Sequence, residues 1–146
     1  MNLPLVVVDT NVLVSGLITH QPQSPTCLIL DRMLEGRLRF VLSIELLSEY
    51  RRVLLRPGIR KLHKLRETEV DIILNDIAFH GILREAPLPV EHAPDRGDDH
   101  LWALMAAQPG TVLITGDKAL LKNPPDFAGV ISPSTFVRMV EDMESM

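Results

Sequence analysis

Leu5-Val6-Val7-Val8-Asp9-Thr10-Asn11-Val12-Leu13 is the stretch that decides the reading of this chain. Four apolar residues, three of them β-branched, form the pattern of a strand buried on both faces. An acidic residue ends the run, and a second apolar stretch begins behind Thr10 and Asn11. A charge at the end of a buried strand is costly unless something there uses it. In an open α/β sheet, ligands bind at the carboxyl ends of the strands. Asp9 is therefore a first candidate for function. The plainer alternative is that Asp9 or Thr10 only caps the helix carrying Val12 to Leu17.

Working outward, strand-like and helix-like stretches alternate. Ser24-Pro25 has the form of a helix start, and that helix runs through Leu28, Leu30, Met33 and Leu34 to a stop at Gly36. Arg39 to Leu42 is a short strand. Ser43 caps a helix with Leu46, Leu47, Tyr50, Val53 and Leu54 on one face, ended by Pro57-Gly58. A basic connector, expected to be a short helix, covers Ile59 to Leu65, and Thr68 to His80 is a further amphipathic helix. Ile82 to Arg84 has the look of an edge strand, and the proline-bearing stretch Ala86 to Gly97 that of a loop. Leu101 to Ala107 is helical, Thr111 to Thr115 is another buried strand, and Asp117 precedes a short helix. Val130-Ile131 and a closing helix from Ser132-Pro133 complete the chain. Strands separated by helices predict a three-layer α/β/α sandwich, Rossmann-like, around a parallel central sheet.

The 146 residues suit one domain, with a core that needs no staples. No apolar run approaches the roughly 20 residues that span a bilayer. The chain enters its first strand without a basic leader, so the expectation is a cytoplasmic protein with no membrane association. Cys27 is the only cysteine, which excludes an intramolecular disulfide and a thiolate zinc cluster. The five histidines are scattered, without paired helical spacing; His100 reads as a helix-surface residue and Trp102 as a packing residue. Net charge is −4, yet the segment from Arg32 to Arg66 carries +7 and the remainder −11. A basic face on an acidic protein can follow a phosphate backbone, although a solvated helix surface accounts for it as well.

Four acidic positions stand at or near strand ends: Asp9, Glu49, the pair Asp98-Asp99, and Asp117. Each alone has a modest explanation, a cap or a surface ion pair. Together, in a parallel sheet, they can converge at one edge, where their mutual repulsion calls for a cation. All-oxygen donors favour Mg²⁺ or Mn²⁺ over zinc, and such a site suits in-line hydrolysis of a phosphodiester. A haloacid-dehalogenase-type phosphatase would need a second acid two residues after Asp9, where Asn11 stands. The rival from another class is a catalytically silent RNA- or protein-binding module.

At these residues the sequence resembles the PIN-domain family. The resemblance rests on Val7-Val8-Asp9-Thr10-Asn11-Val12, Glu49 in Leu47-Ser48-Glu49-Tyr50, Asp95-Arg96-Gly97-Asp98-Asp99-His100-Leu101, and Ile114-Thr115-Gly116-Asp117-Lys118. It is nearest to toxin-like members related to the VapC ribonucleases. It implies a Mg²⁺- or Mn²⁺-dependent ribonuclease with Asp9, Glu49, Asp98 and Asp117 as metal-binding acids, and Asn11 and Thr115 in support. It also implies a homodimer and a cognate antitoxin protein. Asp99 stays beside Asp98 as a metal candidate. Helix phase favours Asp98, which shares the stripe of Leu101 and Met105, whereas Asp99 aligns with Trp102, Ala103 and Ala106. Arg52, Arg56, Arg60 and Lys61 are the candidate RNA contacts.

Overall fold

The computed structural model describes residues 3–86 and 91–146. Strand β1 (Val6–Val8) is buried along its length. It pairs in parallel with β4 (Val112–Ile114), which pairs in parallel with β5 (Gly129–Ile131). On the other side of β1, Phe40 bridges to Val6 just before β2 (Val41–Leu42), and β2 pairs in parallel with β3 (Ile82–Leu83). The strands therefore follow the order β3-β2-β1-β4-β5, with a thin seam at Phe40. Helices cover the sheet, as its doubly buried strands require, and the fold is the expected three-layer α/β/α arrangement. No helix among the described residues is long and apolar enough to cross a membrane.

Local chemistry explains where the helices begin. Ser24 Oγ accepts from Cys27 N (3.3 Å) at the head of α2 (Pro25–Leu34), with Pro25 at the first helical position. Ser43 Oγ accepts from Leu46 N (3.0 Å) at the head of α3 (Ile44–Leu54). Ser132 does the same for Thr135 N (3.1 Å) at α8 (Pro133–Glu144). In α5 (Glu67–His80), Glu69 reaches back to accept from Arg66 N (3.0 Å). Gly110 turns the chain into β4 with φ +86°, a conformation that favours glycine.

Two details differ from the sequence reading. Pro57-Gly58 does not end α3; Pro57 is the first residue of a separate helix, α4 (Pro57–His63), a place where its missing N–H costs nothing. The helix α6 (Asp99–Ala107), entered through a 3₁₀ turn at Arg96–Asp98, buries Leu101, Trp102, Ala103, Leu104 and Met105 in succession. It is packed on more than one side, so the stripe argument could not rank Asp98 above Asp99. The expected loop Ala86 to Gly97 lies partly outside the described residues, at 87–90.

Candidate metal centre

Parallel register brings the site together. Val8 stands beside Ile114, and Asp9 N donates to Ile114 O (2.9 Å), so the chain leaves β1 and β4 side by side at their carboxyl ends. Asp9 is both cap and buried charge. It is the N-cap of α1 (Thr10–Ile18), with Oδ1 accepting from Thr10 N (2.8 Å), and it is only 4% exposed. Its Oδ2 accepts from Thr115 Oγ1 (2.7 Å) and Asn11 Nδ2 (3.1 Å). Asn11 also accepts from Gly116 N (2.9 Å), and Thr115 Oγ1 accepts from Asp117 N (3.0 Å). Asn11 and Thr115 thus tie the two strand-end loops into one network around Asp9.

Glu49 faces this network from α3. Thr10 Oγ1 donates to its Oε2, while its Oε1 lies 3.5 Å from His100 Nε2 and 3.7 Å from Arg52. The buried Tyr50 hydroxyl, next in sequence, donates to Val8 O. Asp117 caps α7 (Lys118–Lys122), its Oδ1 accepting from Ala119 N (2.8 Å). The Asp98 carboxylate accepts no hydrogen bond among the described residues. Asp9, Glu49, Asp98 and Asp117 line one cleft of about 410 Å³, with Arg56 on its rim.

The structure does not bring Asp99 into that cleft. Asp99 Oδ1 accepts from Ala93 N (2.8 Å) and Oδ2 meets His92 Nδ1 (2.7 Å), so the carboxylate latches the preceding loop. Of the candidate RNA contacts, Arg56, Arg60 and Lys61 are exposed and make no ion pair among the described residues, whereas Arg52 is paired with Glu49. Arg51, within the same basic stretch, is committed to Asp71 (2.9 Å) and Glu67 (2.7 Å). His100 is not a surface residue: its side chain is 14% exposed and directed at Glu49. Its place beside Asp98-Asp99 in the chain puts it near the acids, but the pairing with Glu49 joins two different helices and is not written in local spacing.

The electrostatics record the crowding of carboxylates. Burial raises the Asp9 carboxyl above its ordinary range, against the Thr115 and Thr10 hydrogen bonds, and the charges of Glu49 and Asp117 push the same way. Asp98 is pushed from 3.8 up to about 6 by burial and then by the charges of Asp9, Asp95, Glu49 and Asp117. Glu49 is held low, first by His100 and also by Thr10, in spite of its burial. For His100, burial favours the neutral ring but the neighbouring Glu49 prevails and raises it. Among the described residues no three His, Cys, Asp or Glu side chains converge into a ready-made cation cage. The donor set nevertheless fits a hard divalent ion, being all oxygen, crowded with negative charge, and including in Asp98 a carboxylate with no partner among the described residues.

An α/β/α domain with strand-end carboxylates around one cleft defines the class. A PIN-domain family model matches residues 5–119, and the chain belongs to the PIN domain family. PIN domains are generally metal-dependent nucleases. Among solved structures, the chain is similar to the T. brucei RRP44 PIN domain at 13% identity, covering 97% of this chain and 83% of that one with a TM-score of 0.49. No curated protein matches it.

Proposed function

We propose that this protein is a Mg²⁺- or Mn²⁺-dependent endoribonuclease, the toxin component of a toxin–antitoxin pair. The observation that carries the nuclease reading is the single cleft lined by Asp9, Glu49, Asp98 and Asp117, with Arg56 on its rim. When bound, a divalent cation would supply the positive charge and Lewis acidity that in-line displacement at phosphorus requires. Asp9 would be its fixed ligand, because Thr10 N, Asn11 and Thr115 hold both oxygens in place. Glu49, Asp98 and Asp117 complete the ligand set from α3, the head of α6 and the end of β4. Arg56, with Arg60 and Lys61 along α4, engages backbone phosphates.

Internal cleavage is supported by the shape of the surface. Depressions continue on both sides of the cleft, one of about 420 Å³ past Asn11 and Asp117, the other of about 330 Å³ past Glu49 and Arg52. A strand crossing the carboxylates would extend into both depressions, which suits a cut within a chain. The toxin assignment, the antitoxin partner and a homodimer rest on the sequence resemblance alone. Incubation of the purified protein with a broad RNA pool tests the nuclease reading. Cleavage with Mg²⁺ or Mn²⁺, abolished by EDTA, is the expected result; intact RNA with both ions overturns it in favour of a silent binding module.

A further inference from the structure

His100 lines the depression that adjoins the cleft at Glu49, and the ligand set leaves it unused. It occupies the first turn of α6, and its ring is largely buried. Nε2 stands 3.5 Å from Glu49 Oε1, while Nδ1 is buried without a hydrogen-bond partner among the described residues. An orphaned buried polar atom costs stability that an apolar ring of similar size would avoid. Packing alone therefore does not account for a histidine here. Nε2 is the nitrogen that faces Glu49, so a proton carried there points at the carboxylate whether the ring is neutral or charged.

Glu49 needs such a partner. Its side chain has three rotatable bonds, and ordering it for a ligand consumes conformational entropy. Thr10, at the start of α1, holds Oε2, and His100 on α6 confronts Oε1. The carboxylate is thus hydrogen-bonded from α1 and approached from α6, where the main cleft adjoins the depression past Arg52. Arg52 is a poor substitute, with a side chain 63% exposed at 3.7 Å. We propose that His100 is a positioning residue that fixes the Glu49 carboxylate for a divalent cation. The inference rests on the reading of the cleft as a metal site. Cation affinity then depends on a side chain that acts on the ion only through Glu49.

Calorimetric titration of Mn²⁺ into the full chain, without RNA, tests this for wild type, His100→Ala and His100→Gln, alongside thermal melts in EDTA. Loss of an orienting partner typically weakens metal binding 10–100-fold, so His100→Ala should weaken Mn²⁺ binding by about tenfold. His100→Gln keeps an N–H donor of similar reach and should restore affinity to within roughly threefold of wild type. If His100→Ala fails to fold, His100→Met, which fills the space without a donor, takes its place. Unchanged or tighter Mn²⁺ binding in the donor-free variant overturns the inference. So does a Gln variant as weak as the Ala variant, since shape rather than donation would then matter. A wild-type protein that binds no Mn²⁺ overturns the metal-site reading itself, a result distinct from the other two.

Discussion

Replacing Asp98 by Asn should stabilise the metal-free protein, because Asp98 bears repulsion with no compensating bond among the described residues. Its carboxyl is raised from 3.8 to about 6. At about 1.36 kcal/mol per pH unit, the full shift corresponds to roughly 3 kcal/mol of destabilisation by the charged form. The side chain is only half-buried, and solvent and salt screen it, so about 1 kcal/mol is the realistic share. For a domain of this size that raises Tm by about 2–4 °C. Asn preserves the shape, and no hydrogen bond to the carboxylate is lost. A carboxyl raised in the folded state contributes stability that is complete below 3.8 and lost as pH rises through about 6. The advantage of the Asp98→Asn variant should therefore be absent near pH 4 and complete above pH 6. Melts in EDTA across that range read it directly, and saturating Mg²⁺ at neutral pH should narrow or reverse the gap. A variant no more stable than wild type at neutral pH, or equally favoured near pH 4, would refute the reasoning.

Asp9→Asn should abolish RNA cleavage and weaken Mn²⁺ binding beyond about 100-fold, while circular dichroism shows the fold retained. Asp98→Asn should cost far more activity than Asp99→Asn in the same cleavage assay, since Asp99 is spent on His92 and Ala93; equal losses would return Asp99 to the ligand set. Tyr50→Phe leaves Val8 O without its buried donor and should lower stability by about 1–3 kcal/mol in denaturant unfolding. Arg56→Ala should raise KM for RNA and flatten its salt dependence with little change in kcat.

The fold was legible where a residue's role is local. The valines of β1, the serine caps at Ser24, Ser43 and Ser132, and the acids following β1 and β4 all declare themselves within a few residues. Hydrophobic periodicity failed at α6, because a helix buried on several sides carries no stripe from which to read direction. What separates Asp98 from Asp99 is bonding to a loop earlier in the chain, at His92 and Ala93, which spacing does not encode. The pairing of Glu49 with His100 and the commitment of Arg51 to α5 are tertiary contacts between helices. Neither leaves a mark in the local sequence, so one looked like a surface histidine and the other like a free cation.

The hydrogen bond from Tyr50 to Val8 O has a consequence for how this cleft can change over time. Tyr50 follows Glu49, and Val8 precedes Asp9, so the spacing between two mutually repelling acids is gauged by a neutral bond between their neighbours. The acids themselves carry charge but not the measure of the gap. Neutralising Asp98, which takes no part in the bonds between the walls among the described residues, leaves that spacing as it was.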